Sequence, residues 1–239
     1  MHKLLLFALL LNSWTILAQT KTDTLFVQSA VSASIRMYKD VIRGQTSLYN
    51  GSEYREPRQT DDEENPFFES TDWVFGDVFY DKKFFDHVPL LYDITTDRVI
   101  TENFYSAQQI ALVSEKLSRF TFGNHTFVRE TDPTLPKPGF YDLLYDGPSR
   151  SLARRQKVIR ETIVSQKLEI KFDPKNKYFV LRNGKYFAVK SKGSVLKLFE
   201  DEKQSLRLFI KKSKLKFGSD PAHSISLISS QYDQLKAAK

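Results

Sequence analysis

Apolar residues recur along this chain with two periods, and the change of period divides it. From Phe67 to Val189 the spacing is that of strands. Trp73, Phe75, Asp77 and Phe79 alternate with Val74, Gly76, Val78 and Tyr80, so both faces are largely apolar. Aromatic and β-branched residues continue through Phe84-Phe85, Val88 to Tyr92 and Val99-Ile100, with turns at Asp81-Lys82-Lys83 and Thr95-Thr96-Asp97. Gln108 to Glu115 fits either strand or helix. Phe120 and Phe122 share a face before a turn at Gly123-Asn124, and the three prolines of 131–139 mark a loop. Phe140 to Tyr145 and Ser151 to Glu161 read as a hairpin around Asp146-Gly147-Pro148. Gln166, Leu168, Ile170 and Phe172 alternate with Lys167, Glu169 and Lys171, a half-buried strand. Asn183-Gly184 supplies the positive φ angles of a two-residue hairpin loop.

Helical spacing appears at both ends. Val27, Val31, Ile35, Tyr38 and Ile42 predict a helix over 28–43, ending before Gly44. The stretch 51–65 is polar, holds Asp61-Asp62-Glu63-Glu64 and lacks an apolar period, which predicts an exposed, mobile loop. After Ser191, Ser194 is positioned to cap a short helix through Phe199. Asp201 and Glu202 open a second, closed by Lys211 and Lys212 as the helix dipole favours. Asp220-Pro221 forms an N-cap and N1 pair for a last helix with Ile225, Ile228, Tyr232 and Leu235 along one face. The expected fold class is therefore α+β: an N-terminal helix, a long antiparallel meander or curved sheet, and two to three C-terminal helices over 191–239, all in one domain spanning 19–239.

The first residues carry an address. Lys3 precedes an almost unbroken apolar run from Leu4 to Leu11, and small Ala18 stands before Gln19. This is the layout of a secretory signal peptide over 1–18, cleaved after Ala18. The run is too short for the about 20 residues of a spanning helix, and no later segment approaches that length. The expectation is a protein delivered to the periplasm or the outside, without a transmembrane span.

The stretch Asn65-Pro66-Phe67-Phe68, Trp73, Gly76, Val78 and Tyr80, then Val88-Pro89-Leu90-Leu91-Tyr92-Asp93-Ile94 and Asp97, is distinctive. So is the Lys-rich ending from Lys190 to Leu235, which closes on Tyr232-Asp233. Together they resemble an uncharacterised family of exported proteins of Gram-negative bacteria, over residues 48–235. The resemblance implies export and a β-rich body with a helical tail. It brings no activity and no catalytic residues, and its aromatic and aliphatic motif speaks for packing.

Composition narrows the chemistry. Of 239 residues, none is cysteine, which excludes disulfides, thiolate metal sites and a cysteine nucleophile. There is no G-x-S-x-G, H-E-x-x-H, Walker loop, G-x-G-x-x-G or EF-hand series. His87, His125 and His223 lie far apart with no metal-ligand neighbour, and His125 reads as a turn residue. No cofactor or metal is expected. The charge is unevenly spread. Gly51 to Thr101 holds 13 acidic and 5 basic residues, whereas Pro148 to Gly218 holds 20 basic and 6 acidic. Such a balance marks either an anion-binding face or two halves that attract each other.

The densest cluster, Arg150, Arg154, Arg155 and Lys157 with Arg160 beyond, is the candidate anion site. On one regular strand, Arg150, Arg154 and Arg160 would face one way and Arg155 and Lys157 the other. Export makes nucleic acid an unsuitable partner and an anionic envelope component, such as lipopolysaccharide phosphates, a suitable one. The leading expectation is thus a non-enzymatic envelope-binding or scaffold protein. The alternatives are a lipid or lipoprotein carrier with an apolar cavity, and a hydrolase using Asp and His of the β region.

Overall fold

A computed structural model describes residues 31, 32, 34, 48–61, 64–103 and 106–238. The chain divides into two units, Met1–Ser47 and Leu48–Lys239, and the fold below is that of the second. The signal peptide expected over 1–18 lies outside the described residues. So does the helix expected over 28–43, apart from Val31, Ser32 and Ser34.

Thirteen strands are found among the described residues. They are β1 (Ser52–Glu53), β2 (Val74–Tyr80), β3 (Lys83–Asp93), β4 (Arg98–Glu102), β5 (Gln109–Ala111), β6 (Leu117–Phe122) and β7 (His125–Glu130). There follow β8 (Gly139–Tyr145), β9 (Ser151–Arg154), β10 (Lys157–Val164), β11 (Lys167–Pro174), β12 (Lys177–Arg182) and β13 (Lys185–Val189). Eleven form one sheet in the order β1-β5-β4-β3-β2-β6-β7-β8-β9-β12-β13, while β10 and β11 form a separate two-stranded ribbon. All pairings are antiparallel.

The α+β assignment is thereby corrected. Strand makes up 42% of the described residues and helix 21%, and no α-helix stands among the described residues of 48–190. The physical reason is that the strand-period stretch from Val74 to Val189 pairs almost continuously into one sheet. The C-terminal helices are a short cover for one end of it, not a layer of their own.

Local signals account for most turns. Asn183 and Gly184 both have positive φ, 51° and 72°, between the paired residues Arg182 and Lys185, as a type I′ turn requires. Ser165 and Gln166 do the same at the ribbon tip without glycine, at 52° and 64°. The strand expected from Ser151 to Glu161 is broken. It pairs with β8 and β12 up to Arg154, then leaves the sheet at Arg155-Gln156 and enters the ribbon at Lys157.

The sheet curls. Strands β2, β6, β7 and β8 lie between β3 and β9 in the sheet order. Even so, Asp97, in the turn after β3, accepts a 2.6 Å bond from Arg154 at the end of β9. The Lys157 amide also donates to the Ile94 carbonyl at 3.4 Å. Aromatic rings fill the inside of the curl: Tyr80, Tyr92, Phe120, Phe122, Phe127 and Phe140, capped by Phe68. Phe120 stacks on Phe127 at 4.9 Å, and Phe68 meets Phe127 edge-on at 5.2 Å. Such offset and edge contacts are the arrangements that ring quadrupoles favour.

The stretch 51–65 is tied to both sheets at several points. Ser52 and Glu53 pair with β5. Tyr54 donates to buried Asp93 at 3.0 Å. The Ile170 amide donates to Thr60 Oγ1 at 2.8 Å, and the Phe172 amide to Glu64 at 2.7 Å. The last two bonds satisfy amides on the free edge of β11, which would otherwise invite pairing with another chain.

Three helices follow the sheet: α1 (Lys192–Leu198), α2 (Lys203–Lys212) and α3 (Pro221–Ala237). The cap of α1 is Ser191, not Ser194. Ser194 sits at the third helical position and returns its hydroxyl to the cap amide, a reciprocal capping box. Asp220 caps α3 through the His223 amide, with Pro221 in the first turn. The Ile225, Ile228 and Tyr232 side chains are buried in one cluster with Val180, Val189, Val195, Phe199 and Leu206. Ser226 donates to the Leu144 carbonyl at 2.7 Å, and Ser229 bonds Ser151 at 2.7 Å, so α3 docks on β8 and β9.

Candidate functional site

The arginines of the β8–β9 region are occupied by carboxylates. Arg150 donates to Glu130 at 2.7 Å and lies 3.2 Å from Asp146. Burial raises the Glu130 carboxyl above its usual range, and Arg150 opposes that shift. Arg154 is 4% exposed. It bonds Asp97 at 2.6 Å and the Phe140 carbonyl at 2.9 Å, and its guanidinium lies 5.1 Å from the Tyr141 ring centre. Asp97 also accepts from Tyr92 at 2.7 Å. A side chain at Gly139, whose φ is +149°, would collide with both Arg154 and Asp97.

Arg155 points to the opposite face, as strand parity predicts for neighbours. It reaches buried Asp142 through Nε at 2.9 Å and Nη2 at 2.6 Å. His125 Nδ1 meets the same carboxylate oxygen at 2.9 Å, and His125 Nε2 lies 3.2 Å from Glu69. Each imidazole nitrogen faces a carboxylate, so the doubly protonated ring suits the site best. The bond to Asp142 raises the His125 pKa; burial opposes this, and the Asp142 and Glu69 charges add to the rise. With both nitrogens engaged, His125 is a strut that fastens the 66–69 stretch over the aromatic core. Sequence gave no hint of this group, because the partners of His125 lie 17 residues downstream and far upstream.

Lys157 donates to the Asn65 carbonyl at 2.8 Å and to its side-chain oxygen at 3.1 Å. Burial pushes its ammonium below the usual lysine range, against the pull of Glu64 and Asp93. Arg154 and Lys157 share a cleft of about 370 Å³ with Lys137, Gln156 and Asp97. Thus two of the four candidate residues are brought together and Arg150 and Arg155 are not. Asp97 already balances the deepest cation of that cleft.

A different basic site stands between α1 and α2. A cleft of about 660 Å³ is lined by Lys192, Arg207, Lys211 and Lys214 over a floor of Leu196, Ile210 and Leu215. Its four cationic side chains are exposed, and none has a carboxylate at ion-pair distance among the described residues. Arg207 and Lys211 are four apart on one helix, a like-charge spacing that costs about 0.2–0.5 kcal/mol. The reason for the local geometry is plain. Val195, Leu196, Leu206 and Ile210 turn into the helical cluster, which leaves the intervening basic positions facing out. Sequence reasoning placed Lys211 and Lys212 as dipole partners and missed the cleft. The missed signal is the i, i+4 basic row Lys203, Arg207, Lys211.

Comparison of the chain with models of known families, with curated proteins and with solved structures gives no match. No described helix is long and apolar enough to cross a membrane, and no described group of three His, Asp or Glu residues is placed to hold a metal ion.

Proposed function

We propose that this protein is exported and works without catalysis, holding an anionic component of the cell envelope in the cleft between α1 and α2. The observation that carries the reading is the set of four cations around that cleft, none with a carboxylate at ion-pair distance among the described residues. Keeping like charges together with no carboxylate costs stability, and a bound anion removes that cost. The apolar floor formed by Leu196, Ile210 and Leu215 suits a ligand with a hydrocarbon part beside its phosphate or carboxylate. Export is supported by Lys3, the Leu4–Leu11 run and Ala18. The resemblance to the exported Gram-negative family points the same way. The expected binding residues thus move from the Arg150–Lys157 cluster to the helical cations. The carrier alternative is weakened by the rings that fill the inside of the curl.

The test is binding of the purified protein to lipopolysaccharide and to the same material after enzymatic dephosphorylation. The parent protein should bind the phosphorylated form in a salt-sensitive manner. Replacing Arg207→Gln together with Lys211→Gln should weaken it about tenfold or more, at ~1 kcal/mol per surface cation. Equal binding by parent and variant would defeat the reading.

A further inference from the structure

The ribbon of β10 and β11 is amphipathic in a way that the main sheet is not. Ile159 opposes Phe172, Glu161 opposes Ile170, and Ile163 opposes Leu168, so these residues share one face. Near the body, Ile170 and Phe172 are buried, and their amides donate to Thr60 and Glu64. Toward the tip the cover ends: Ile163 is 78% exposed and Leu168 36%. Val164, on the other face, is 46% exposed. At ~3.4 Å per residue the tip stands about 10 Å beyond Ile170. Two-stranded ribbons are marginal alone, and bare isoleucine and leucine at the end of one are costly in water.

The ribbon as a whole is basic, with Glu161 and Glu169 as the acidic positions nearer its tip. Residues 157–177 hold six basic and three acidic side chains. Lys167 sits at the tip opposite Val164, and Lys171, Lys175 and Lys177 line the exposed strand and its exit. Arg160 is paired with Asp173 at 2.9 Å. Those four lysines make no ion pair among the described residues. An apolar end that reaches about 5–10 Å on a basic ribbon, with Lys167 at its tip, matches the depth and charge of an anionic lipid headgroup layer.

We propose that the ribbon tip is a membrane-docking arm: Ile163, Val164 and Leu168 enter the headgroup region of an anionic bilayer while Lys167 and Lys171 contact lipid phosphates. The arm and the helical cleft lie on separate elements, so the two readings fail separately.

The experiment is co-flotation of the protein with vesicles of phosphatidylcholine alone, or mixed equally with phosphatidylglycerol. The parent protein should float with the mixed vesicles and much less with the neutral ones. Ile163→Ser combined with Leu168→Ser should weaken that binding about tenfold or more, by losing apolar burial. The variant should keep the parent melting temperature and its binding to lipopolysaccharide. In a second variant, Ile163→Trp, indole fluorescence should shift to the blue on adding the mixed vesicles. Undiminished flotation of the double serine variant overturns the proposal. So does a parent protein that ignores both vesicles, or one whose tip proves covered by a second copy in sedimentation analysis.

Discussion

Two basic regions of this molecule use the same residue types for opposite ends. Arg150, Arg154 and Arg155 lie in and beside β9, 4 to 57 residues from the carboxylates that neutralise them. Lys192, Arg207, Lys211 and Lys214 lie on and after two short helices and face solvent with no carboxylate partner among the described residues. The first set holds the curled sheet together, tying the β3–β4 turn to β9 and β7 to β8 and β9. The second set contributes nothing to packing that a neutral side chain would lack. A surplus of positive charge in a stretch of sequence therefore says little about binding until each cation is matched with its carboxylate.

The contrast is open to direct attack. The largest effect is expected in the arginine set. Arg155→Ala leaves Asp142, 1% exposed, with His125 as its one remaining charged partner among the described residues. The expected loss is about 3 kcal/mol, because a buried charge stripped of its counter-ion is strongly destabilising. Denaturant unfolding measures it, and a loss below about 0.5 kcal/mol would show that the inner pair is not structural.

A middle-sized effect is expected from His125. Its pKa is raised in the folded protein, chiefly by the Asp142 bond, above the ordinary value of about 6.5. The folded state therefore binds the proton more tightly than the unfolded chain does. The resulting stabilisation is complete below about pH 6.5, fades as pH climbs through the raised value, and is absent above it. Glu69 is more than half exposed, so its share is small. Melting temperature measured across this window should fall with rising pH, and His125→Gln should flatten that part of the curve. An unchanged slope in the variant would mean that His125 is a bystander.

The smallest effect belongs to the helical cations. Arg207→Gln removes one like-charge neighbour of Lys211 and should stabilise the protein by about 0.3 kcal/mol at low salt, fading as salt is raised. A clear destabilisation would mean that the cation has a structural partner, and the two basic regions would then be alike.

The same alternation also has two outcomes in this chain. In β7 and β8, Phe127 and Phe140 enter the filled inside of the curl while Val128 and Tyr141 enter a second cluster on the other face. In β10 and β11, Ile163 and Leu168 alternate just as regularly and remain exposed at the tip. Period two shows where strands run; it does not show whether a face finds cover.

Features that depend on a few neighbouring residues are legible in the chain itself. Asn183-Gly184 set its hairpin because positive φ at both positions is a local demand. Asp220-Pro221 set the start of α3 because a cap bonds an amide three residues on. Ser151 to Glu161 shows the limit: nothing local marks Arg155-Gln156 as the point where the strand leaves the sheet. Which distant residues become neighbours follows from the folded sheet. It placed β6 beside β2, brought Arg154 to Asp97 across 57 residues, and set His125 between Asp142 and Glu69. It also left the helical cations without carboxylates among the described residues. These contacts depend on how the whole sheet curls, and a curl has no signature in any short stretch of chain, because each strand's twist is small and only their sum brings the ends together.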